Sequence, residues 1–215
     1  NRGWIPRSAK NSTEEIIEAK NKWGIKSFKI LDDCFNLKED RVIEFSKLIK
    51  PLGMRWNCAN GIRADRVTEA SARAMAESGC HQVGFGIESA DDKILGDIKK
   101  GETLLQIENG IRIAKKYFNE VNGFFIIGLP GSSYETDLKT LEWANCQGIN
   151  AHFSYYIPLA KQMEYDALFY GEGAKPMSDA YDKNLQEKIY IMTEKMRPGT
   201  KKQHLIKRLI NKLIK

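Results

Sequence analysis

From Ser12 to about Leu159, short apolar runs alternate with longer stretches in which apolar residues recur every three or four positions. The short runs are IKSFKIL (25–31), MRWNCAN (54–60), HQVGFGI (81–87), GFFIIGL (123–129) and NAHFSYYI (150–157). Their length and their aromatic and β-branched content predict strands. The longer stretches predict helices. The one after Thr103 gathers Leu104, Ile107, Ile111, Ala114 and Phe118 on one helical face. Ser12 with Glu15, Thr103 with Gln106 and Ser132 with Glu135 have the spacing of capping boxes. Pro51, Gly79 and Gly148 stand where helices should stop. An alternation that repeats every roughly 25 to 35 residues predicts parallel strands joined by right-handed crossovers. The chain opens on a helix where an α/β barrel or doubly wound fold has a strand, so the expectation is a domain whose first strand is missing.

Composition narrows the class. A chain of 215 residues that is 42% hydrophobic can bury a sizeable core. One domain is expected over residues 1–159. A polar linker over 160–182, including YGEGAKPMSDAYD, and a basic helical tail over 183–215 follow it. No apolar run approaches the roughly 18 residues of a membrane span, and the N-terminus carries no targeting segment, which predicts a cytoplasmic protein. Cys34, Cys58, Cys80 and Cys146 lie far apart, without a CxxC pair or zinc-like spacing, and are expected as reduced thiols. The net charge of +6 is matched by the six Lys and Arg residues of 201–215, a segment without an acid, so the body is close to neutral. That placement, with no recognition motif, argues against specific nucleic-acid readout. In the tail, HLIKRLINKLIK sets an apolar stripe beside a basic face, suited to docking on its own domain or to weak contact with an anionic membrane.

The third run is the most informative. Side chains alternate along a strand, so Val83, Phe85 and Ile87 share one face and Gln82, Gly84, Gly86 and Glu88 the other. Two glycines in line with a carboxylate leave an open lane that ends in an acceptor at the strand's C-terminal end, where parallel α/β folds bind ligands. Relief of crowding, with Glu88 capping the next helix, accounts for the same pattern. The first run ends in Asp32 and Asp33, with Asn36 placed to cap the following helix; acids there also favour a helix dipole. GFFIIGLPG runs an apolar strand into Gly128, Pro130 and Gly131, a turn with bare backbone that suits the flat face of a nucleobase or an ordinary strand-to-helix connection.

Taken in order, DDCFN, GFGIES, IKKGET and GFFIIGLPG resemble the radical SAM superfamily, and most of all the subgroup that often carries a cobalamin-binding domain. The resemblance covers roughly residues 3 to 158. It implies a partial (β/α)6 TIM-like barrel of the radical SAM type. It further implies a [4Fe-4S] cluster held by a CxxxCxxC loop after the first strand, and S-adenosylmethionine (SAM) chelated to the open iron. The implied activity is that of an enzyme performing radical chemistry or, with cobalamin, methyl transfer. The implied partners are a small-molecule or lipid-like substrate and an electron donor such as flavodoxin or ferredoxin.

Carried onto this chain, the resemblance assigns Glu88 to the ribose hydroxyls or methionyl end of SAM and Lys100 to the methionyl carboxylate. It places the backbone of Ile126, Gly128 and Pro130 against adenine, and it sets Asp32, Asp33 and Arg63 on the rim near the SAM amino group or substrate. The chain itself has no CxxxCxxC motif, so the cluster ligands are expected outside it and the chain alone is expected to be inactive. A degenerate barrel without a cluster is the alternative. PGSS stands where the family often has PGE, and IPLAKQMEYDAL replaces a PLPGT-like turn. Two other classes compete with this reading. One is a cluster-free hydrolase or lyase using Asp32, Asp33 and Glu88, and the other is a non-catalytic module binding through the basic tail.

Overall fold

In the computed structural model, residues 4–32, 34–156 and 183–196 are described. The expected alternation is present: α1 (Ala9–Trp23), β1 (Ser27–Ile30), α2 (Glu39–Ile49), β2 (Arg55–Ile62), α3 (Glu69–Glu77), β3 (Cys80–Glu88), α4 (Asp92–Asp97), α5 (Leu104–Tyr117), β4 (Glu120–Ile127), α6 (Tyr134–Gln147), β5 (Asn150–Tyr155) and α7 (Lys183–Met196). The strands follow chain order in one sheet, and the pairs β1–β2, β2–β3 and β4–β5 are parallel. This is the α/β fold expected of the pattern. The linker residues 160–182 and the tail segment 201–215 lie outside the described residues. No helix among the described residues is long and apolar enough to cross a membrane.

The chain forms two compact units, one of Asn1–Gly86 with Leu105–Val121 and the other of Ile87–Leu104 with Asn122–Lys215. The first unit is built around Trp56, which is fully buried on the helix-facing side of β2. Its indole stacks on Phe28 at 5.8 Å and meets the edges of Phe45 and Phe35 at 5.6 and 6.0 Å. Its ring N–H donates to the Ser78 carbonyl at 3.1 Å, so the one polar atom of the side chain is satisfied. Helix α5 approaches the short 3-10 turn Ala64–Arg66 through Gly110, where a Cβ would stand 2.6 Å from the Ala64 carbonyl oxygen. In the second unit Phe125 stacks on Phe153 at 5.1 Å with Trp143 edge-on at 6.2 Å, and α7 packs on α6 and β5 with Ile189 buried.

Two of the expected caps lie elsewhere. Helix α1 begins a turn earlier, capped by Ser8, whose hydroxyl accepts from the Asn11 amide at 3.1 Å; Ser12 is already helical. Helix α6 is capped by Ser133 in a box with Thr136, not by Ser132 with Glu135. Ser133 has the extended conformation of a cap, while the Ser132 amide closes the preceding turn onto the Leu129 carbonyl. Asn36 does not cap α2, whose first residue follows Lys38 without a side-chain cap. Its amide instead clamps the backbone of Arg63, accepting from the Arg63 N–H at 2.8 Å and donating to the Arg63 carbonyl at 2.7 Å.

Candidate functional site

In the first unit the residues that follow the strand ends are bound into local structure. The Asp32 carboxylate accepts from the Cys34 amide at 2.8 Å and lies 4.0 Å from the Arg41 guanidinium. Arg41 also donates to the Arg7 and Phe35 carbonyls, which fixes it beside Asp32. Asp33 lies outside the described residues. Arg63, directly after β2, forms a two-point pair with Asp65 at 2.8 and 3.1 Å, the fork-to-carboxylate geometry that gives arginine a fixed orientation.

The glycines of β3 have a neighbour within the protein. Between the Cys58–Val83 and Ile62–Phe85 partners, β2 takes four steps while β3 takes two, so β2 bulges outward. At the bulge Gly61 adopts φ +99°, and a Cβ on it would lie 3.4 Å from the Gly84 carbonyl oxygen and 3.6 Å from the Gly86 nitrogen. The backbone of Gly84 and Gly86 is thus what a side chain at Gly61 would crowd.

In the second unit β3 ends at Glu88, whose φ is +69°. Among the described residues only Glu88 and Lys99 (φ +55°) take a positive φ without being glycine. Such backbones cost about 1–3 kcal/mol each and persist where the surroundings enforce them. Glu88 and the residue after Lys99 form an ion pair. The Glu88 carboxylate accepts from the Lys100 ammonium at 3.1 Å, with both side chains about one-fifth exposed. Lys99 reverses the chain at the end of α4: its amide donates to Gly96 and the Lys100 amide to Leu95, a helix-end motif in which glycine is the usual left-handed residue. A second carboxylate, Glu102, sits 3.8 Å from the same ammonium and is only 1% exposed. Helix α4 is capped by Asp91, which accepts from the Lys93 and Ile94 amides, and Glu88 takes no part in that cap.

The turn after β4 is equally constructed. Ser132 N–H donates to the Leu129 carbonyl at 2.9 Å, with Pro130 second and Gly131 at φ +85° third, a type II turn. Gly128, at φ +76°, donates its amide to the Asp137 carboxylate at 3.0 Å. Asp137, in the first turn of α6, is 2% exposed. Ile126 is half-buried and Pro130 exposed. Removing the Asp137 carboxylate orphans a buried amide, so Asp137→Ala should lower stability by about 1–3 kcal/mol, measured as a shift of the urea midpoint at unchanged slope. His152 is the third residue of β5; its ring lies 5.4 Å from Phe124, and burial holds its pKa below the usual histidine value.

Sequence reasoning missed Glu102 and Asp137. In ETDL an acid in a first helical turn has a sufficient explanation in the helix dipole. In KKGET a glutamate between glycine and a helix start resembles loop charge. No signal in the sequence marked either as buried. The cysteines do not assemble a metal site: Cys58 and Cys80 are buried, Cys34 is half-buried and Cys146 exposed. The hydrogen bond to Cys80 and burial push the Cys58 thiol up. Among the described residues no three His, Cys, Asp or Glu side chains converge to hold a metal ion.

The sequence is 36% identical over 156 residues to an uncharacterised methyltransferase of Pyrococcus horikoshii, covering 72% of this chain and 34% of that one. It is 32% identical over 152 residues to the cytidylyl-2-hydroxyethylphosphonate methyltransferase of Streptomyces wedmorensis, covering 67% and 28%. The chain thus spans about a third of the length of these curated relatives. Among solved structures, the radical SAM methyltransferase TsrM of Kitasatospora setae superposes with a TM-score of 0.62 at 19% identity, covering 69% of this chain and 30% of TsrM, which establishes a shared fold. Structures of TsrM hold a SAM analogue with tryptophan, or cobalamin with a [4Fe-4S] cluster. The family model for the radical SAM superfamily matches residues 2–144, and with the ordered strand-end residues and the parallel fold already described, this chain belongs to the radical SAM superfamily.

Proposed function

We propose that this chain is the SAM-binding part of a radical SAM methyltransferase, with Glu88 as its principal contact to SAM. The observation that carries the reading is the paired backbone strain at Glu88 and Lys99, which holds one ion pair at the C-terminal end of β3. Strain of this kind is retained where the position of a carboxylate matters. Two relatives named as methyltransferases and the fold shared with TsrM support methyl transfer.

The residues fit SAM and do not fit the cluster. Glu88 retains acceptor capacity beyond Lys100, enough for a ribose hydroxyl or an ammonium group. Lys100 has three N–H donors and two carboxylate neighbours, which leaves it room for one further acceptor such as the methionyl carboxylate. The turn Gly128–Gly131, fixed by Asp137, offers backbone to a flat base. The cluster requires three thiolates that this chain does not bring together, and we assign its ligands to a CxxxCxxC loop outside the sequence. When bound, SAM and its cofactors supply the transferable methyl group and the radical or cobalamin chemistry. The residues of this chain bind SAM, orient it and exclude water. A small-molecule acceptor and a low-potential electron donor such as flavodoxin or ferredoxin complete the proposed reaction.

The test uses the full polypeptide, purified without oxygen and reconstituted with iron and sulfide. A brown protein that binds SAM and consumes it under reduction is the expected result. A colourless protein without iron, or one that leaves SAM intact, would sink the reading.

A further inference from the structure

Lys100 stands on a turn that fixes its backbone. The residues on either side of it, Lys99 at φ +55° and Gly101 at φ +70°, both take left-handed conformations. The Lys100 amide donates to the Leu95 carbonyl at 2.9 Å, and the Leu104 amide at the start of α5 donates to the Asp92 carboxylate at 2.8 Å. The turn between α4 and α5 is thus tied back to α4 at two points. A fixed backbone sets the direction of the lysine stem, but the flexible four-carbon chain still has to be held at its tip.

Two carboxylates hold that tip, and they differ. Glu88 accepts a hydrogen bond from the ammonium at 3.1 Å, and its side chain is partly open to solvent. Glu102 lies 3.8 Å from the same ammonium, beyond hydrogen-bond reach, with its side chain almost completely buried. A charge excluded from water is screened less, so Glu102 attracts the ammonium without occupying one of its N–H donors. Two carboxylates against one ammonium also leave the trio with one excess negative charge. Glu102 can therefore neutralise Lys100 by itself when Glu88 turns to another donor.

We propose that Glu102 is a positioning residue for SAM binding, holding the Lys100 ammonium in place for the methionyl carboxylate while Glu88 is engaged by SAM. The inference rests on the reading of Glu88 and Lys100 as SAM contacts, and it gives the buried acid a task that neither contact performs. Without Glu102, a ligand that draws Glu88 away leaves the ammonium uncompensated, and its stem turns to solvent. With Glu102, the ammonium keeps both its counter-charge and its place.

Isothermal titration of the full polypeptide, reconstituted without oxygen, tests the proposal with two probes: SAM, and 5′-methylthioadenosine, which lacks the amino-acid end. Glu102→Gln keeps the shape of the side chain and removes its charge, and its melting curve reports whether it folds. SAM affinity should fall by roughly ten-fold, as for a weakened charge-assisted contact, and 5′-methylthioadenosine affinity should not change. Added to Lys100→Met, Glu102→Gln should cost no further SAM affinity, because its effect passes through the ammonium. Unchanged SAM affinity in folded Glu102→Gln, equal losses for both probes, or the same loss in the Lys100→Met background would each overturn the proposal. If Glu102→Gln does not fold, Glu102→Asp takes its place. The shorter side chain lengthens the contact while keeping the charge, so a smaller loss confined to SAM is expected, and the same three results count against the proposal. Glu88→Gly separates this inference from the reading beneath it. If the parent binds SAM and Glu88→Gly weakens it while Glu102→Gln does not, the positioning role alone falls; a parent that does not bind SAM overturns both.

Discussion

Gly79→Ala is expected to cost roughly 3–5 kcal/mol of folding stability, the sum of backbone strain and a steric clash that cannot relax. Gly79 joins α3 to β3 at φ +99°, outside the range an alanine adopts without strain. A Cβ at that position would stand 2.1 Å from the Met54 carbonyl oxygen, and both partners are backbone. Relieving the clash moves the start of β3 away from β2, where the Gly79 carbonyl accepts from the Trp56 amide at 3.1 Å. The Trp56 indole depends on the neighbouring Ser78 carbonyl, so the aromatic cluster of the first unit loosens as well. Gly24→Ala provides the control. Gly24 has nearly ideal left-handed geometry at φ +65° and nothing within 4 Å of its missing Cβ, so only the conformational cost of about 1–2 kcal/mol applies. At about 2–4 °C per kcal/mol for a chain of this size, the melting points of the two variants should separate by several degrees. Equal melting points would show that the clash at Met54 is absorbed without cost.

The strands were legible because their signal is dense. Val83, Phe85 and Ile87 are completely buried, as their alternation requires, and all five apolar runs became strands within a few residues of the expected bounds. Helix ends were less legible because several polar residues compete for each cap. Ser8 and Ser133 prevailed over Ser12 and Ser132 for reasons of backbone conformation that the side chain does not encode. The candidate site shows the same limit. Glu88 and Lys100 stood out in their motifs, and the fold pairs them, but Glu102 and Asp137 stood out only once burial was known. Gly84 and Gly86 marked a stretch of bare backbone beside which Gly61 sits. That signal was ambiguous about the visitor, and the bulge at Gly61 can be recognised only from a strand register that no local pattern specifies.

Glu88 and Lys100 form one ion pair, yet their variants are expected to fail differently. Lys100→Met takes the ammonium from Glu102, a carboxylate that is 1% exposed, as well as from Glu88. Loss of both charge pairs, one of them to a buried carboxylate, should lower stability by about 2–3 kcal/mol, read as a lower melting point for the chain. Glu88→Gly removes the same pair from the other side but also removes a strained backbone. Release of the left-handed glutamate offsets the lost pair to within about 1 kcal/mol, and Glu102 continues to neutralise Lys100. The proposed function adds a second readout. In the full polypeptide Glu88→Gly should bind SAM about 10- to 150-fold more weakly, the equivalent of one charge-assisted hydrogen bond, while melting near the parent temperature. That outcome would account for the strain at Glu88 by its contact with SAM. If Glu88→Gly instead melts as low as Lys100→Met and titrates with SAM like the parent, the strained carboxylate is a structural brace and the SAM contact lies elsewhere.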